Sequence, residues 1–350
     1  MNKSSSANID RTVPDREEMI ERVAALVPSL VERAEQVEKT RTIHPDTVQE
    51  FWDTQLWSIM KPKRYGGLEL DYGMMVVVPD YIARGCASTS WVYGNLVIHD
   101  WMLAMWPPQG QDTVWKDNPR ALMASSLVAN AGRATPVTGG YVISGRWPYC
   151  SGIDVSDWMM MGAMIQDDGP KRPVWLVVPR EKFEEIDTWY VSGLIGTGSR
   201  DVKCDDVFVP EFMTLDPKAT RGGSTPGTSH NPGLVYQLPV LGLFPHLLVG
   251  TTIGIAQGAY DDYVREIRDR VSTYNTTKLA EHIQTQMKVA EAGALIQAAR
   301  LLTYDNIREA ELIMDSGRLP TVEEKVRWRR DGAFAAQNCV KSIQILQSAI

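Results

Sequence analysis

Histidine and cysteine are both scarce in this 350-residue sequence, with five of the first and four of the second. Cys86, Cys150, Cys204 and Cys339 stand far apart, with no C-x-x-C pair and no histidine at metal-ligand spacing. That argues against a zinc site or a disulfide scaffold and predicts reduced thiols in a cytoplasmic protein without a metal. Excess positive charge is lacking too. A net charge of -7 argues against nucleic acid or an anionic membrane surface as the main partner. The opening MNKSSSANIDRT has no apolar signal-peptide core, and residues 1–14 read as a disordered tail. No nucleophile elbow, Walker loop, zinc signature or kinase motif occurs.

A complete dinucleotide fingerprint is also missing. The stretch GLIGTGSRD, residues 193–201, has a G-x-G at Gly196 and Gly198, but Asp201 stands where the third glycine belongs. The residues that follow, VKCDDVFVP, read as a strand rather than the helix whose N-terminus would face a pyrophosphate. Long uncharged runs number one, Leu238 to Tyr260, which is long enough to span a membrane. Its Pro239, Pro245, His246 and Gln257 predict a helix buried in protein instead.

What is present is an order of helices, then strands, then helices, without an internal repeat. Residues 15–118 place apolar side chains three and four apart and read as a helical domain. From 119 to 215 come short β-rich runs between turns, such as GYVISGRW, DWMMMGAMI and PVWLVVP, several of them apolar on both faces. Residues 216–240 are a Gly, Pro, Ser and Thr linker, and helix returns over 241–350. In the last helix a seven-residue spacing joins Val322, Ala336, Ile343 and Ile350, and a second joins Val326, Ala333 and Val340. This predicts a bundle seam along those residues. The sequence stops inside that apolar pattern without a helix-ending residue, so the bundle is expected to be incomplete at its end.

Aromatic and polar residues crowd together between Trp91 and Trp189. Trp91, Tyr93, Asn95, His99 and Trp101 share one helical segment, Ser125 and Ser126 one strand, and Trp147, Tyr149, Cys150 and Ser151 the end of another. Such rings suit a flat conjugated ligand, with a few hydroxyls fixing its orientation. The same residues equally suit an ordinary core: His99 beside Leu96 and Leu103 reads as a packed histidine, and Arg265, Arg268 and Arg270 as a solvated helix face.

Four stretches in order, CASTSWVYGNLVIHDWMLAMWP, GGYVISGRWPYCSGIDVSDWMMMGA, DTWYVSGLIGTGSRDVKCDDVFVP and YQLPVLGLFPHLLVGTTIGIAQGA, carry a resemblance. They resemble the oxygenase components of two-component flavin-dependent monooxygenases built on the acyl-CoA dehydrogenase fold, of the p-hydroxyphenylacetate and seco-steroid phenol hydroxylase type. The resemblance implies an α+β fold with an N-terminal helical domain, a central β-barrel domain and a C-terminal helical bundle. It implies reduced FMN or FAD delivered by a separate flavin reductase, O2 as co-substrate, and a flavin hydroperoxide that hydroxylates a small aromatic, phenolic substrate. A cytoplasmic homotetramer or homodimer is expected.

Residue roles follow from the same resemblance. His99 matches the histidine that meets the substrate hydroxyl, Ser125 the serine opposite it, and Ser151 the hydroxyl that bonds flavin N5. Tyr93, Asn95 and Trp101 are expected on the substrate side. Trp147 or Tyr149 is expected to stack on the flavin, Thr197 and Ser199 to contact it, and Arg270 or Arg268 to take its phosphate. Members of the group continue with a further helix carrying a second histidine, and no residue here takes that role. Cys150 also stands beside Ser151 where a small hydroxyl residue or glycine is common.

Three alternatives share these features. An acyl-CoA dehydrogenase needs a carboxylate base, and Pro217 to Tyr260 contains no Asp or Glu. An N- or S-oxygenase of the same fold would not need His99. A non-catalytic flavin-binding protein would bind flavin and transfer no oxygen.

Overall fold

The computed structural model describes residues 14–272 and 276–348, so the tail expected over residues 1–14 falls outside it except for Pro14, as does Ile350 of the expected seam. Five helices come first: α1 (Arg16–Thr40), α2 (Pro45–Asp53), α3 (Met74–Gly85), α4 (Ala87–Leu103) and α5 (Pro108–Trp115). Asp15 caps α1 by accepting from the Glu18 amide, and Pro45 sits in the first turn of α2, where no amide donor is needed. Helix α4 is buried nearly all round, as a helix apolar on every side must be. It packs on α3 and α6 along one side, and on β1 and the 3-10 turn Ile195–Thr197 along another.

Eight strands follow: β1 (Met123–Ser126), β2 (Gly132–Val137), β3 (Gly140–Cys150), β4 (Trp158–Ile165), β5 (Pro173–Pro179), β6 (Glu184–Ile186), β7 (Arg200–Pro210) and β8 (Thr214–Leu215). They form one sheet in the order β6-β7-β3-β2-β4-β5-β8, with β1 parallel to β4. The expected barrel is thus a sheet whose hydrogen-bonded path ends at β6 and β8. Strand β4 is buried along almost its whole length, as its unbroken apolar sequence requires.

Three long helices close the chain: α6 (Val240–Asp269), α7 (Ile283–Asp315) and α8 (Val322–Gln347). The uncharged run forms the start of α6, long and apolar enough to cross a membrane, and much of its surface is buried against α3, α4 and α8. Asp80 on α3, 2% exposed, accepts from Arg84 and from Arg300 of α7, which ties the first helical group to the last.

The expected seam of α8 is corrected by this packing. Trp328, Gly332, Ala335, Cys339, Ser342 and Leu346 face inward, whereas Val322, Val326 and Val340 are exposed. The inward set keeps a seven-residue repeat but on a different face, Trp328, Ala335 and Ser342 with Gly332, Cys339 and Leu346. Its small members allow close approach, and of the expected seam Ile343 packs partly against the core.

Candidate functional site

Helix α4 supplies one wall. Trp91, Asn95 and His99 are spaced four apart and so lie on one stripe. That stripe faces the sheet. The Trp91 indole donates to the Ser151 hydroxyl at 3.1 Å, and Gly152 lies so near α4 that an added Cβ would stand 2.7 Å from Val92. Asn95 donates to the Trp91 carbonyl at 2.8 Å.

His99 is fully buried, with Nδ1 2.9 Å from the Met123 carbonyl at the start of β1. A carbonyl only accepts, so Nδ1 carries the proton and Nε2 keeps its lone pair. Nε2 has no partner among the described residues. Burial pushes the imidazole pKa down to about 4, so His99 stays neutral through the physiological range. A buried acceptor without a donor costs about 1–3 kcal/mol, and a hydroxyl placed there would relieve that cost.

A buried ion pair braces the two elements that hold this histidine. Lys61, 1% exposed, donates to the Pro119 carbonyl at 2.5 Å, just ahead of β1. Its ammonium also lies 3.5 Å from Asp100 on α4 and within reach of the Trp52 and Trp115 rings. Desolvation raises the Asp100 pKa to about 6 and the Lys61 charge opposes that rise.

The end of β3 supplies the second wall. Its register with β7 shifts between Trp147 and Cys150, and Tyr149 takes the left-handed φ of 63°. A non-glycine residue held there is strained and is common at functional turns. This bulge turns Tyr149 outward, 68% exposed, with its ring edge-on to Trp189 at 6.3 Å. Ser151 follows, buried, with its amide 3.0 Å from the Tyr149 carbonyl. Behind Ser151 lie Ser199 at 2.7 Å and then Thr197, a further 2.7 Å from Ser199. The G-x-G stretch serves this packing: an added Cβ on Gly196 would come within 2.2 Å of Val37 on α1, and Gly198 turns the chain with φ +52.

Between β1, the end of β3 and the start of α6 lies a cavity of ≈ 350 Å³, lined by Ser125, Ser126, Pro148, Tyr149, Leu241 and Phe244 among others. That volume and its mainly apolar lining suit a small conjugated ligand. A larger recess of ≈ 730 Å³ lies between β5 and β7, but it is rimmed by Glu181, Lys182, Lys203 and Asp205, and no residue of α4, β1 or β3 lines it. Its size does not make it the reactive site.

The structure therefore brings together His99, Asn95, Ser151, Thr197 and Ser199 around the α4–sheet contact, with Ser125 and Tyr149 on the adjoining cavity. It separates others. Tyr93 packs on Phe51 and Trp57 and donates to the Leu56 carbonyl, and Trp101 packs on Tyr72 and donates to the Val235 carbonyl. Both stand two residues from a member of the site stripe, about 200° around the helix, and so point into the helical core. Trp147 is buried inside the sheet domain, donating to the Gly162 carbonyl at 2.6 Å, and offers no face to a ligand. Arg268 and Arg270 close the far end of α6, where Arg270 pairs with Glu266 at 3.1 Å. At 1.5 Å per residue they lie roughly 40 Å along the helix from Phe244. Leu241 and Phe244 were missed in the sequence, where they read as one apolar run with no sign of a cavity.

A flavin fits the residues present. Its N5 needs a partner such as Ser151, its ring needs an apolar slot, and a hydroxylated substrate needs an acceptor such as His99 Nε2.

Comparison with known proteins gives the chain's relatives. Residues 14–113 match the family described as acyl-CoA dehydrogenase, N-terminal domain, and residues 247–350 the acyl-CoA dehydrogenase, C-terminal domain. The chain is 33% identical over 331 residues to the flavin-dependent monooxygenase, oxygenase subunit HsaA, of Rhodococcus jostii (strain RHA1), covering 93% of this chain and 86% of the relative. It is 31% identical to the FADH(2)-dependent resorcinol hydroxylase, oxygenase component, of Rhizobium sp. (strain MTP-10005), covering 100% of this chain and 88% of that one. Among solved structures, 3-HSA hydroxylase from Rhodococcus sp. RHA1 superimposes with a TM-score of 0.90 at 31% identity, covering 96% of this chain and 86% of that one.

Proposed function

The chain belongs to the oxygenase subunits of flavin-dependent monooxygenases, built from acyl-CoA dehydrogenase domains, and from that premise we propose how its site works. It is a monooxygenase that uses reduced flavin and O2 to hydroxylate an aromatic compound, with the flavin supplied by a separate reductase. When bound, the flavin supplies the oxygen-activating and oxygen-transferring chemistry, which no side chain can.

The observation that carries the finer reading is the unpaired, buried Nε2 of His99 with its tautomer fixed by Met123. A phenol hydroxyl donating to Nε2 is oriented and polarised, which raises electron density on its ring carbons. Full proton transfer from a phenol to a free imidazole costs about 5 kcal/mol, and the burial of His99 raises that further. His99 therefore holds the phenolic proton as a hydrogen bond and draws it fully only as the ring is attacked. Ser125 holds the same hydroxyl from β1, and Asn95 extends the polar stripe. Ser151 takes flavin N5, with Thr197 and Ser199 behind it, and Tyr149 flanks the ring. The apolar lining of Leu241, Phe244 and Pro148 would exclude water once flavin and substrate fill the cavity, and water would otherwise divert oxygen to hydrogen peroxide.

The working unit in this reading is a homotetramer, or at least a homodimer, in the cytoplasm. Ile283, Met287, Leu312, Val322, Val326 and Val340 stay exposed on α7 and α8, apolar side chains that a second copy would cover. Arg270, too far from the site in its own protomer, reaches a flavin phosphate only from a second copy; Arg268 is the other arginine at that end.

The test mixes protein with pre-reduced flavin, then O2, with and without a phenol. A long-lived oxygenated flavin spectrum, and conversion of the phenol to a catechol in its presence, are expected. Immediate reoxidation at the rate of free flavin, with no product, overturns the reading.

A further inference from the structure

The hydroxyls behind Ser151 form a chain whose direction can be worked out from its two ends. At one end the Trp91 indole N–H, which can only donate, points at Ser151 Oγ at 3.1 Å. At the other, Thr197 Oγ1 donates to the Leu194 carbonyl at 2.9 Å, and a carbonyl can only accept. That carbonyl is held in place: Leu194 has φ 53°, and its oxygen also takes the Trp189 indole and the Thr197 amide, each at 3.2 Å.

Each hydroxyl has one proton. Thr197 spends its proton on Leu194, so the 2.7 Å bond between Thr197 and Ser199 is donated by Ser199. Ser199 is then spent, so the 2.7 Å bond between Ser199 and Ser151 is donated by Ser151. Thr197 and Ser199 are 1% and 3% exposed, so no water competes for their protons. Ser151 is left with no proton to offer a ligand and a lone pair still free.

The geometry points to a redox filter: Trp91, Ser199 and Thr197 are positioning residues that hold Ser151 as a pure hydrogen-bond acceptor toward flavin N5. Reduced flavin carries a hydrogen on N5 and donates to such a group. Oxidised flavin presents a bare N5 lone pair and meets another lone pair. The chain thus admits the reduced cofactor and expels it once reoxidised, by proton direction and not by shape. This rests on the reading that flavin N5 meets Ser151.

The test is anaerobic equilibrium titration of the full-length protein with FMN and FAD, each oxidised and photoreduced, read as dissociation constants. Wild type is expected to bind the reduced form more tightly. Thr197→Val removes the terminal donor, so Ser199 is free to donate to Ser151 and Ser151 to N5. The affinity ratio should then shift toward the oxidised form by about tenfold, the value of one hydrogen bond. Ser199→Ala should shift it the same way, and Thr197→Ser, which keeps the donor, should restore the wild-type ratio. Equal changes in both redox states, or an unchanged ratio, overturn the filter. Ser151→Ala separates the two levels: if it weakens reduced-flavin binding while Thr197→Val leaves the ratio alone, the filter alone fails. If Ser151→Ala moves neither redox state, flavin does not sit at Ser151 and the underlying assignment fails with it.

Discussion

The imidazole of His99 on α4 and the carbonyl of Met123 on β1 meet at 2.9 Å, so one hydrogen bond across two elements decides which ring nitrogen keeps its lone pair. His99→Asn keeps a donor for Met123 but loses the acceptor at Nε2. Turnover of a phenolic substrate should fall by about 10²-fold or more, with reduced-flavin affinity unchanged and hydrogen peroxide formed in place of product. Product and peroxide assays against flavin titration check this. Retained hydroxylation of the phenol would show that His99 is not the group that meets its hydroxyl.

Lys61 and Asp100 test how far that geometry depends on its bracing. Removing one partner of a buried pair leaves an uncompensated charge at a cost of about 3–5 kcal/mol. Lys61→Met should therefore lower the urea midpoint sharply, and the double variant Lys61→Met, Asp100→Leu should recover much of it. Equal instability of single and double variants would show that the lysine acts by packing alone.

How much of this was legible in the sequence depends on which face of an element a residue takes. The helix, strand, helix order could be read because apolar spacing changes from helical to strand-like, and His99, Asn95 and Ser151 could be singled out by type. Tyr93 and Trp101 were misplaced because crowding along a helix says nothing about direction until the stripe through Trp91 and His99 is drawn. Trp147 was misplaced because a bulge at Tyr149 breaks strand alternation, and no residue in RWPYCSG announces a positive φ. The seam of α8 was expected on the wrong face because most of the inward positions hold small residues, which carry little apolar signal. Nothing local in the sequence marks the hydroxyl chain, since Ser151 and Ser199 come from segments 48 residues apart.

Gly132 on β2 gives way to the Trp147 ring, and an added Cβ would stand 2.0 Å from its Cζ2. Gly132→Ala should displace the indole from its 2.6 Å bond to Gly162 and destabilise the protein by about 1–3 kcal/mol. Thermal unfolding and Trp fluorescence check this, and an unshifted midpoint would mean the ring yields freely.

Acid should weaken the fold through its buried histidines. Burial lowers the pKa of His246 to about 4, as it does that of His99, against roughly 6.5 when unfolded. Between those values the unfolded chain binds protons that the folded chain refuses, so stability is full above about pH 6.5 and falls toward pH 4. Asp100, raised to about 6, works in the opposite sense below that pH. His246→Gln should flatten the loss by one proton between pH 6.5 and 4, read from urea midpoints. A slope identical to wild type would show that His246 titrates normally.

The exposed face of α8 should mediate assembly. Val326→Glu with Val340→Glu places charge where 59% and 51% exposure now leaves apolar surface. Light scattering should show smaller species, with weaker binding of reduced flavin if Arg270 acts from a second copy. A wild type that is already monomeric at micromolar concentration removes the basis for this prediction.

The slipped register near the end of β3 carries one last implication. Because side chains along a strand alternate with a period of two, a single inserted or deleted codon between Gly145 and Tyr149 would exchange inside for outside. The indole now packed on Gly132 would swing into solvent, and the hydroxyl that meets Trp91 would turn away from its partner. Segment length there should be guarded more strictly across descendants of this gene than the identity of any exposed side chain it carries.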